Sequence, residues 1–132
     1  MTANKTGIHF AWFTGGNNKG CFYNRSTDNG LSFSTPETIS TMGSHPQMTS
    51  SAEGNLVITW DETIKTDTSI NKRIGIEKRN QDGKYLMKKY ITPDSGSSGY
   101  PVIATLDANK CLVAYSRKQG KNTFVSYQLV EL

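Results

Sequence analysis

The sequence contains an internal repeat. Residues 45–62 align without a gap on residues 100–117 at an offset of 55, so that prolines, β-branched residues and aromatic residues fall on matching positions. A shorter copy, residues 7–14, aligns at an offset of 48 and places Trp12 on Trp60. Self-similarity at a fixed spacing is typical of folds in which one unit is used several times. The chain is therefore predicted to contain more than two copies of a single structural unit.

Each unit has the pattern of a series of β-strands. Pro46 can open a strand, since proline lacks the N–H group that a central ladder position needs. The segment LVITW, residues 56–60, has bulky residues on both faces, which is typical of a strand that is covered on both sides. The Asp-Gly pair in NQDGK, residues 80–84, is a strong signal for a hairpin turn. One unit is therefore predicted to consist of four antiparallel strands.

Counted over the whole chain, the pattern predicts ten strands. The unit at 44–92 has four strands, while the parts at 7–41 and 99–130 have three each, and the part at 7–41 lacks its first strand. A unit of four short strands that cannot bury both faces alone is the blade of a β-propeller. We therefore expect an all-β fold in which residues 1–132 form a single partial-propeller domain.

A turn motif lies in the first unit, at RSTDNGLSF, residues 25–33. It has Ser26, Asp28, Gly30 and Phe33 in the order Ser-x-Asp-x-Gly-x-Ser-aromatic. Asp28 can accept hydrogen bonds from backbone N–H groups of its own turn, Gly30 can adopt a positive φ, and Phe33 can pack against the next strand. The motif resembles the Asp-box of BNR repeats, which lies between the third and fourth strands of blades in sialidases and related propellers.

A degenerate copy of this motif, NQDGKY at 80–85, has Asp82 and Gly83 at the same place in the next unit. Turn chemistry explains both copies, so a structural role is predicted for these residues. The alternative is that Asp28 and Asp82 bind a cation, but one carboxylate per turn supplies too few oxygen ligands for calcium. We therefore expect no metal and no other cofactor.

The resemblance to sialidase-like BNR proteins extends over most of the chain at the level of blade pattern. It implies a propeller, and propellers typically have four to eight blades, so the two and a half predicted here are too few to close. Open terminal blades would expose apolar faces and strand edges to other chains. We expect either the C-terminal part of a larger six-bladed protein or a homo-oligomeric ring of copies with about three blades each.

In propellers the ligand usually lies at one end of the central channel, between the loops that join the second and third strands and the loops between blades. These loops are predicted at 13–20, 40–45, 61–73, 95–100 and 116–122. They and the adjoining strands hold aromatic rings that can stack on a glycan and arginines that can bind an acidic sugar. The candidate binding residues are Trp12, His45, Trp60, Arg73, Tyr100, Tyr115 and Arg117.

Weaker candidates exist for catalysis. Asp61 and Glu62 are carboxylates of the kind that glycoside hydrolysis requires, but neighbours in an extended segment point to opposite faces, which favours solvated loop charges. Sialidases use an arginine cluster, a tyrosine nucleophile with a glutamate partner and a Phe/Tyr-Arg-Ile-Pro motif, and that motif is absent here. Tyr100 matches His45 in the repeat, and it is either a remnant of such a nucleophile or an aromatic residue that fills the channel.

Three functions are compatible with these patterns. The first is a non-catalytic propeller module that binds carbohydrate or a protein partner. The second is a glycoside hydrolase of sialidase type that is active only when the ring is complete. The third is a structural repeat that assembles with itself and has no ligand.

Composition narrows the range of partners. Fifteen Lys and Arg against eleven Asp and Glu give a net charge of +4, and the basic residues are scattered, so nucleic acid is not expected as a partner. Cys21 and Cys111 lie within predicted strands without further ligands and are expected to be buried thiols. Residues 1–10 lack the apolar segment of a secretion signal, and no run is long enough to span a membrane, although a longer parent of this type would be expected in the periplasm or outside the cell.

Overall fold

The computed structural model describes all residues from 1 to 132. It consists of eleven β-strands and contains no helix, so the expected all-β fold of antiparallel sheets is confirmed. The strands are β1 (Thr2–Asn4), β2 (Gly7–Thr14), β3 (Gly20–Ser26), β4 (Glu37–Ser40), β5 (Gly43–Ser50), β6 (Leu56–Lys65), β7 (Ile70–Arg79), β8 (Tyr85–Tyr90), β9 (Ser97–Thr105), β10 (Lys110–Gln119) and β11 (Asn122–Glu131).

The first sheet has four strands in the order β1-β2-β3-β4. The expectation that the first unit lacks its first strand was wrong, because Thr2–Asn4 pairs antiparallel with β2, with Thr2 opposite His9. Three polar and small residues carry no alternating pattern, and this strand is instead defined by its backbone pairing. The fourth strand, β4, has only four residues and begins at Glu37. The chain therefore has eleven strands and not ten.

The second sheet has seven strands. Strands β5 to β8 pair antiparallel in chain order, and so do β9 to β11. A single parallel bridge, Lys72 opposite Ser97, joins the two groups. The hairpin predicted around NQDGK is present between β7 and β8. Together with the first sheet, the chain therefore contains three successive groups of antiparallel strands.

Two apolar layers hold these groups together. The first layer contains Cys21, Tyr23 and Ile39 of the first sheet and Leu56, Ile58 and Trp60 of β6. The second contains Val57, Ile74 and Ile76 of β6 and β7, with Cys111, Val113, Tyr115 and Val130 of β10 and β11. Alternate residues of β6 therefore face different layers, as predicted for a strand covered on both sides. Both cysteines are free and buried, as expected.

The turn at residues 26–33 is closed by its own side chains. The Ser26 hydroxyl donates to Asp28 at 2.7 Å and accepts from the Gly30 N–H at 2.8 Å. Asp28 also accepts from the N–H of Ser32 at 2.9 Å, and Gly30 has φ of +88°. These contacts lower the pKa of Asp28 to about 2, mainly through the hydrogen bonds from Ser32 and Ser26. Phe33 remains 45% exposed, so its ring contributes less packing than expected.

The second turn, at residues 80–85, is built differently. The side chain of Asn80 accepts hydrogen bonds from the N–H groups of Asp82 at 3.0 Å and Lys84 at 2.9 Å, as the Ser26 hydroxyl does two and four residues on in the first turn, and the Asp82 carboxylate accepts none of them. Gly83 has φ of +81°, and a Cβ there would lie 2.0 Å from the Tyr23 hydroxyl oxygen. Glycine is therefore required at position 83 for its backbone and for its lack of volume.

Candidate functional site

One aromatic ring from each of the three strand groups meets the others at one place on the surface. The rings of His45 and Tyr100 have centroids 4.3 Å apart, and Phe13 lies 5.2 Å from His45 on the other side. Phe13 comes from the end of β2, His45 from the start of β5 and Tyr100 from the start of β9. The three rings line a surface groove of about 480 Å³, together with Ala11, Trp12, Pro46, Gln47, Pro101 and Val102. We call this feature the aromatic groove.

The backbone at two of these residues is strained. His45 has φ of +51° and Tyr100 has φ of +55°, and both are followed by proline. Ladder irregularities occur at both places, between Ser44 and Gln47 and opposite Gly99. A left-handed conformation in a bulky residue is uncommon, and such residues cluster where a side chain must be aimed at a ligand. Both rings project into the groove from the same unusual geometry.

A buried carboxylate holds this geometry in place. Asp61 on β6 is fully buried and accepts hydrogen bonds from the Ser44 hydroxyl at 2.5 Å, His45 Nδ1 at 2.8 Å and the Tyr100 N–H at 2.9 Å. Lys72 Nζ lies 3.3 Å from the same carboxylate. Burial alone would raise the pKa of Asp61, but these hydrogen bonds outweigh burial and lower it. Asp61 is therefore a charged anchor for the starts of β5 and β9.

Glu62 points to the opposite side of β6. It accepts from the Ser40 hydroxyl at 2.6 Å and the Tyr90 hydroxyl at 3.0 Å, and it forms an ion pair with Arg73 at 2.6 Å. Burial acts to raise the pKa of Glu62, and the hydrogen bonds from Ser40, Arg73 and Tyr90 lower it overall. The predicted opposite orientation of Asp61 and Glu62 is confirmed. Their description as solvated loop charges was wrong, because β6 continues to Lys65 and both side chains are buried.

The loop predicted at 61–73 is in fact a tight hairpin. Strand β6 extends to Lys65, β7 begins at Ile70, and the Thr66 N–H donates to the Ser69 carbonyl at 2.9 Å. The polar residues of this segment suggested a loop, but they belong to the paired ends of β6 and β7, where successive side chains point to opposite faces of the sheet. The residues at 61–65 and 70–73 therefore belong to the sheet.

The sequence-predicted binding residues divide into three groups. His45 and Tyr100 lie in the aromatic groove, and half-buried Trp12 lies at its edge with its ring stacked on Phe10 at 5.4 Å. Trp60 and Tyr115 are buried in the two apolar layers and are not available for stacking on a ligand, so these two predictions were wrong.

The two arginines lie outside the groove. Arg73 pairs with Glu62 and with Asp94 at 2.9 Å, and its guanidinium lies 3.3 Å from the centroid of the Tyr90 ring. Arg117 is exposed on β10, and it does not line the groove.

Phe13 and Lys72 were missed by the sequence analysis. Phe13 aligns with Asp61 at the offset of 48, and not with the repeat position of His45 and Tyr100, so the repeat did not mark it as a groove residue. Lys72 Nζ lies 5.7 Å from the centroid of the Tyr100 ring, and it places a positive charge beside the groove. No pattern in the sequence distinguishes this lysine from the other scattered basic residues.

Comparisons with known proteins give no assignment. No protein-family model matches the chain, and neither a curated protein nor a solved structure shows a significant match. The structure has no cluster of three or more His, Cys, Asp or Glu side chains that could hold a metal ion. It also has no helix of the length and apolar character needed to cross a membrane.

The groove combines flat apolar surfaces with a few polar groups. Tyr100 is 63% exposed and Phe13 is 47% exposed, and the imidazole of His45 lies between them. Rings of this kind provide contact area at low cost in conformational entropy, while hydroxyl, imidazole and amide groups orient a ligand. The arrangement is suited to binding a small ligand with both an apolar face and hydroxyl groups.

Proposed function

We propose that this chain is a non-catalytic, sialidase-like repeat module of the β-propeller type, and that it binds carbohydrate through the aromatic groove. The observation that carries the proposal is the row of three adjacent rings, Phe13, His45 and Tyr100, one from each of three successive strand groups. The blade interpretation, the choice of ligand and the absence of catalysis are each supported by other contacts.

The blade interpretation is supported by the way the repeats pack. The groups β1–β4, β5–β8 and β9–β11 follow each other along the chain, and each contacts the next through one apolar layer. Units that bury their faces only against their neighbours are the hallmark of propellers and other repeat folds. The interpretation of the turn at 26–33 as an Asp-box is supported by its internal hydrogen bonds between Ser26, Asp28, Gly30 and Ser32.

Carbohydrate is the ligand that the groove chemistry favours. A sugar ring has an apolar face that stacks on aromatic rings and hydroxyl groups that hydrogen-bond at its edge. The groove offers two exposed rings with an imidazole between them, and Gln47 at its wall. Lys72 Nζ lies 5.7 Å from the centroid of the Tyr100 ring but is paired with Asp61 at 3.3 Å, so its charge is already offset and does not by itself select an acidic sugar.

The position of the carboxylates supports binding without hydrolysis. Most glycoside hydrolases need two carboxyl groups on either side of the glycosidic bond, about 5 to 9.5 Å apart, whereas sialidases need a carboxylate beside a tyrosine nucleophile. Asp61 and Glu62 point to opposite faces, are held by hydrogen bonds and have lowered pKa values. None of the nine residues that line the groove is acidic.

The test is a binding measurement with a matched pair of variants. The wild-type chain is screened on an array of sialylated and neutral glycans, and hits are measured by calorimetry. We expect Tyr100→Ala to weaken binding at least about tenfold, equivalent to about 1.4 kcal/mol. Tyr85→Ala, which removes an exposed tyrosine on β8, should leave affinity unchanged.

Two results would contradict this proposal. If no glycan binds, or if both tyrosine variants bind as wild type, the groove is not the site. Release of the fluorophore from a fluorogenic sialoside by the wild-type protein would show that the module is catalytic.

A further inference from the structure

Both ends of the repeat array expose an apolar sheet face. At one end, Phe10, Trp12 and Phe22 form a continuous aromatic surface on the outer side of the first sheet, with ring centroids 5.4 and 5.8 Å apart. We call these three residues the N-terminal face. Phe10 is on the opposite side of β2 from buried His9, and Phe22 is next to buried Cys21. No other element of the chain covers this surface.

The other end exposes the outer side of β9, β10 and β11. Leu112 is opposite Leu129, Ala114 is opposite Tyr127, and Ser116 is opposite Val125 in the β10–β11 ladder. Tyr127 is 75% exposed and Val125 is 81% exposed. We call Val102, Leu112, Val125, Tyr127 and Leu129 the C-terminal face. Its charged neighbours, Lys110 and Lys118, lie at the two ends of β10, so that an apolar centre has a polar rim.

The internal repeat indicates what kind of surface would pack on the C-terminal face. At the offset of 55, Leu112 corresponds to Val57, and by ladder position Val125 and Tyr127 correspond to Ile74 and Ile76. Inside the chain, these three equivalents are buried against the following strand group. The C-terminal face is therefore a surface of the type that a following unit covers.

The N-terminal face is the complementary surface. At the offset of 48, Phe10 corresponds to Ile58 and Trp12 corresponds to Trp60. Ile58 and Trp60 are fully buried against the preceding strand group, in the layer with Cys21 and Tyr23. The N-terminal face is therefore a surface of the type that a preceding unit covers. One chain exposes one half of this contact at each end.

We propose that a second copy of this chain covers both faces, so that the C-terminal face of each copy packs on the N-terminal face of the other. The two copies then form a closed ring of six units. Each chain already contains two contacts between successive strand groups, and the ring adds two contacts of the same kind between the copies. This inference rests on the propeller arrangement proposed above. A two-fold axis makes both new contacts identical, which closes the assembly. A stable interface buries about 800 Å² per partner. In the ring this area would be divided between the two contacts that join the copies.

The assembly also limits which residues are free to bind a ligand. Phe10 and Trp12 are covered in the ring, whereas Phe13, His45 and Tyr100 belong to neither face. Trp12 and Val102 also line the groove, so the groove borders both faces, but the three rings proposed to bind sugar can be changed without altering either face.

The first test is the mass of the chain in solution, measured by light scattering after size exclusion. We expect wild type at twice the chain mass of 14.6 kDa. Tyr127→Asp on one face and Phe10→Asp on the other should each give a folded monomer, because both contacts between the copies would then contain one buried charge. Leu31→Asp, which changes an 89% exposed leucine of a turn, should remain dimeric, and so should Tyr100→Ala.

A mixing experiment separates this ring from other dimers. Tyr127→Asp and Phe10→Asp together contain one intact pair of faces, so their mixture should form a heterodimer that neither forms alone. If Phe10→Asp alone stays dimeric while Tyr127→Asp is monomeric, like faces pair and the proposal is wrong. A monomeric wild type, or one larger than a dimer, also overturns it. Circular dichroism verifies folding, and Val125→Asp replaces Tyr127→Asp if that variant is unfolded.

Discussion

The backbone N–H of Tyr100 donates a hydrogen bond of 2.9 Å to Oδ2 of Asp61, a residue 39 positions earlier in the chain. The same oxygen accepts from His45 Nδ1 at 2.8 Å. One buried carboxylate thus joins the starts of two non-adjacent strands and positions two rings of the aromatic groove.

The first prediction concerns this anchor. Asp61→Ala leaves the Tyr100 N–H, the Ser44 hydroxyl and Lys72 without their acceptor in a buried place. We expect a loss of about 3 kcal/mol in the free energy of unfolding, measured by urea denaturation. The control is Asp67→Ala in the exposed turn after β6, which should change stability by less than about 0.5 kcal/mol. Equal effects of the two substitutions would refute the anchoring role.

The second prediction concerns pH. The pKa values of Asp61 and Glu62 are lower in the folded chain than their ordinary values, so the folded state binds fewer protons in acid. Their contribution to stability is complete above the unfolded value of about 4 and is lost as the pH falls below it. The urea concentration at the midpoint of unfolding should therefore decrease when the pH is lowered from 7 to 3. Asp61→Asn should show a smaller decrease over this pH range. A decrease equal to that of the wild type would exclude Asp61 as a cause.

The third prediction concerns the packing of Trp60. A Cβ at Gly75 would lie 2.4 Å from Cζ2 of the Trp60 ring, which is buried and has no room to move away. Gly75→Ala should destabilise the fold by about 1 to 3 kcal/mol through overpacking. Gly15→Ala is the matched control, because no atom lies within 4 Å of the added methyl. Thermal unfolding of the two variants is the measurement, and a stable Gly75→Ala would contradict the packing.

The fourth prediction concerns the thiols. Burial raises the pKa of Cys21 to about 12, with the charges of Asp61 and Glu62 adding to the effect, and burial raises that of Cys111 to about 11. Because the thiolate is the reactive form, neither cysteine should react with a disulfide reagent at pH 8 in the native state. Both should react in urea. Rapid modification of the native chain would show that one of the layers opens readily.

The fold class was predictable because its signals are local. β-Branched and aromatic residues between Asp-Gly and Gly-Asn turns define strands such as Leu56–Lys65 wherever they occur. Strand β1 was missed because Thr2–Asn4 forms a strand only through its pairing with β2. The burial of Asp61 was also missed, since a carboxylate in a strand is buried only when donors from distant residues surround it.

The site was predictable where the repeat carried the information. His45 and Tyr100 share a repeat position, and both lie in the groove. Trp60 was assigned to binding although LVITW has bulky residues on both faces, a pattern that already implied burial. Phe13 was missed because its partner in the alignment, Asp61, has a different chemistry.

The corner at Tyr100 is fixed through its main chain, since Asp61 binds the amide and not the phenol. The side chain there can change while this hydrogen bond is kept, as long as the new residue tolerates the φ of +55°. In the binding module proposed above, position 100 is therefore a site at which a new side chain would alter the groove and leave its anchor in place, and a library randomised at this codon alone would test this.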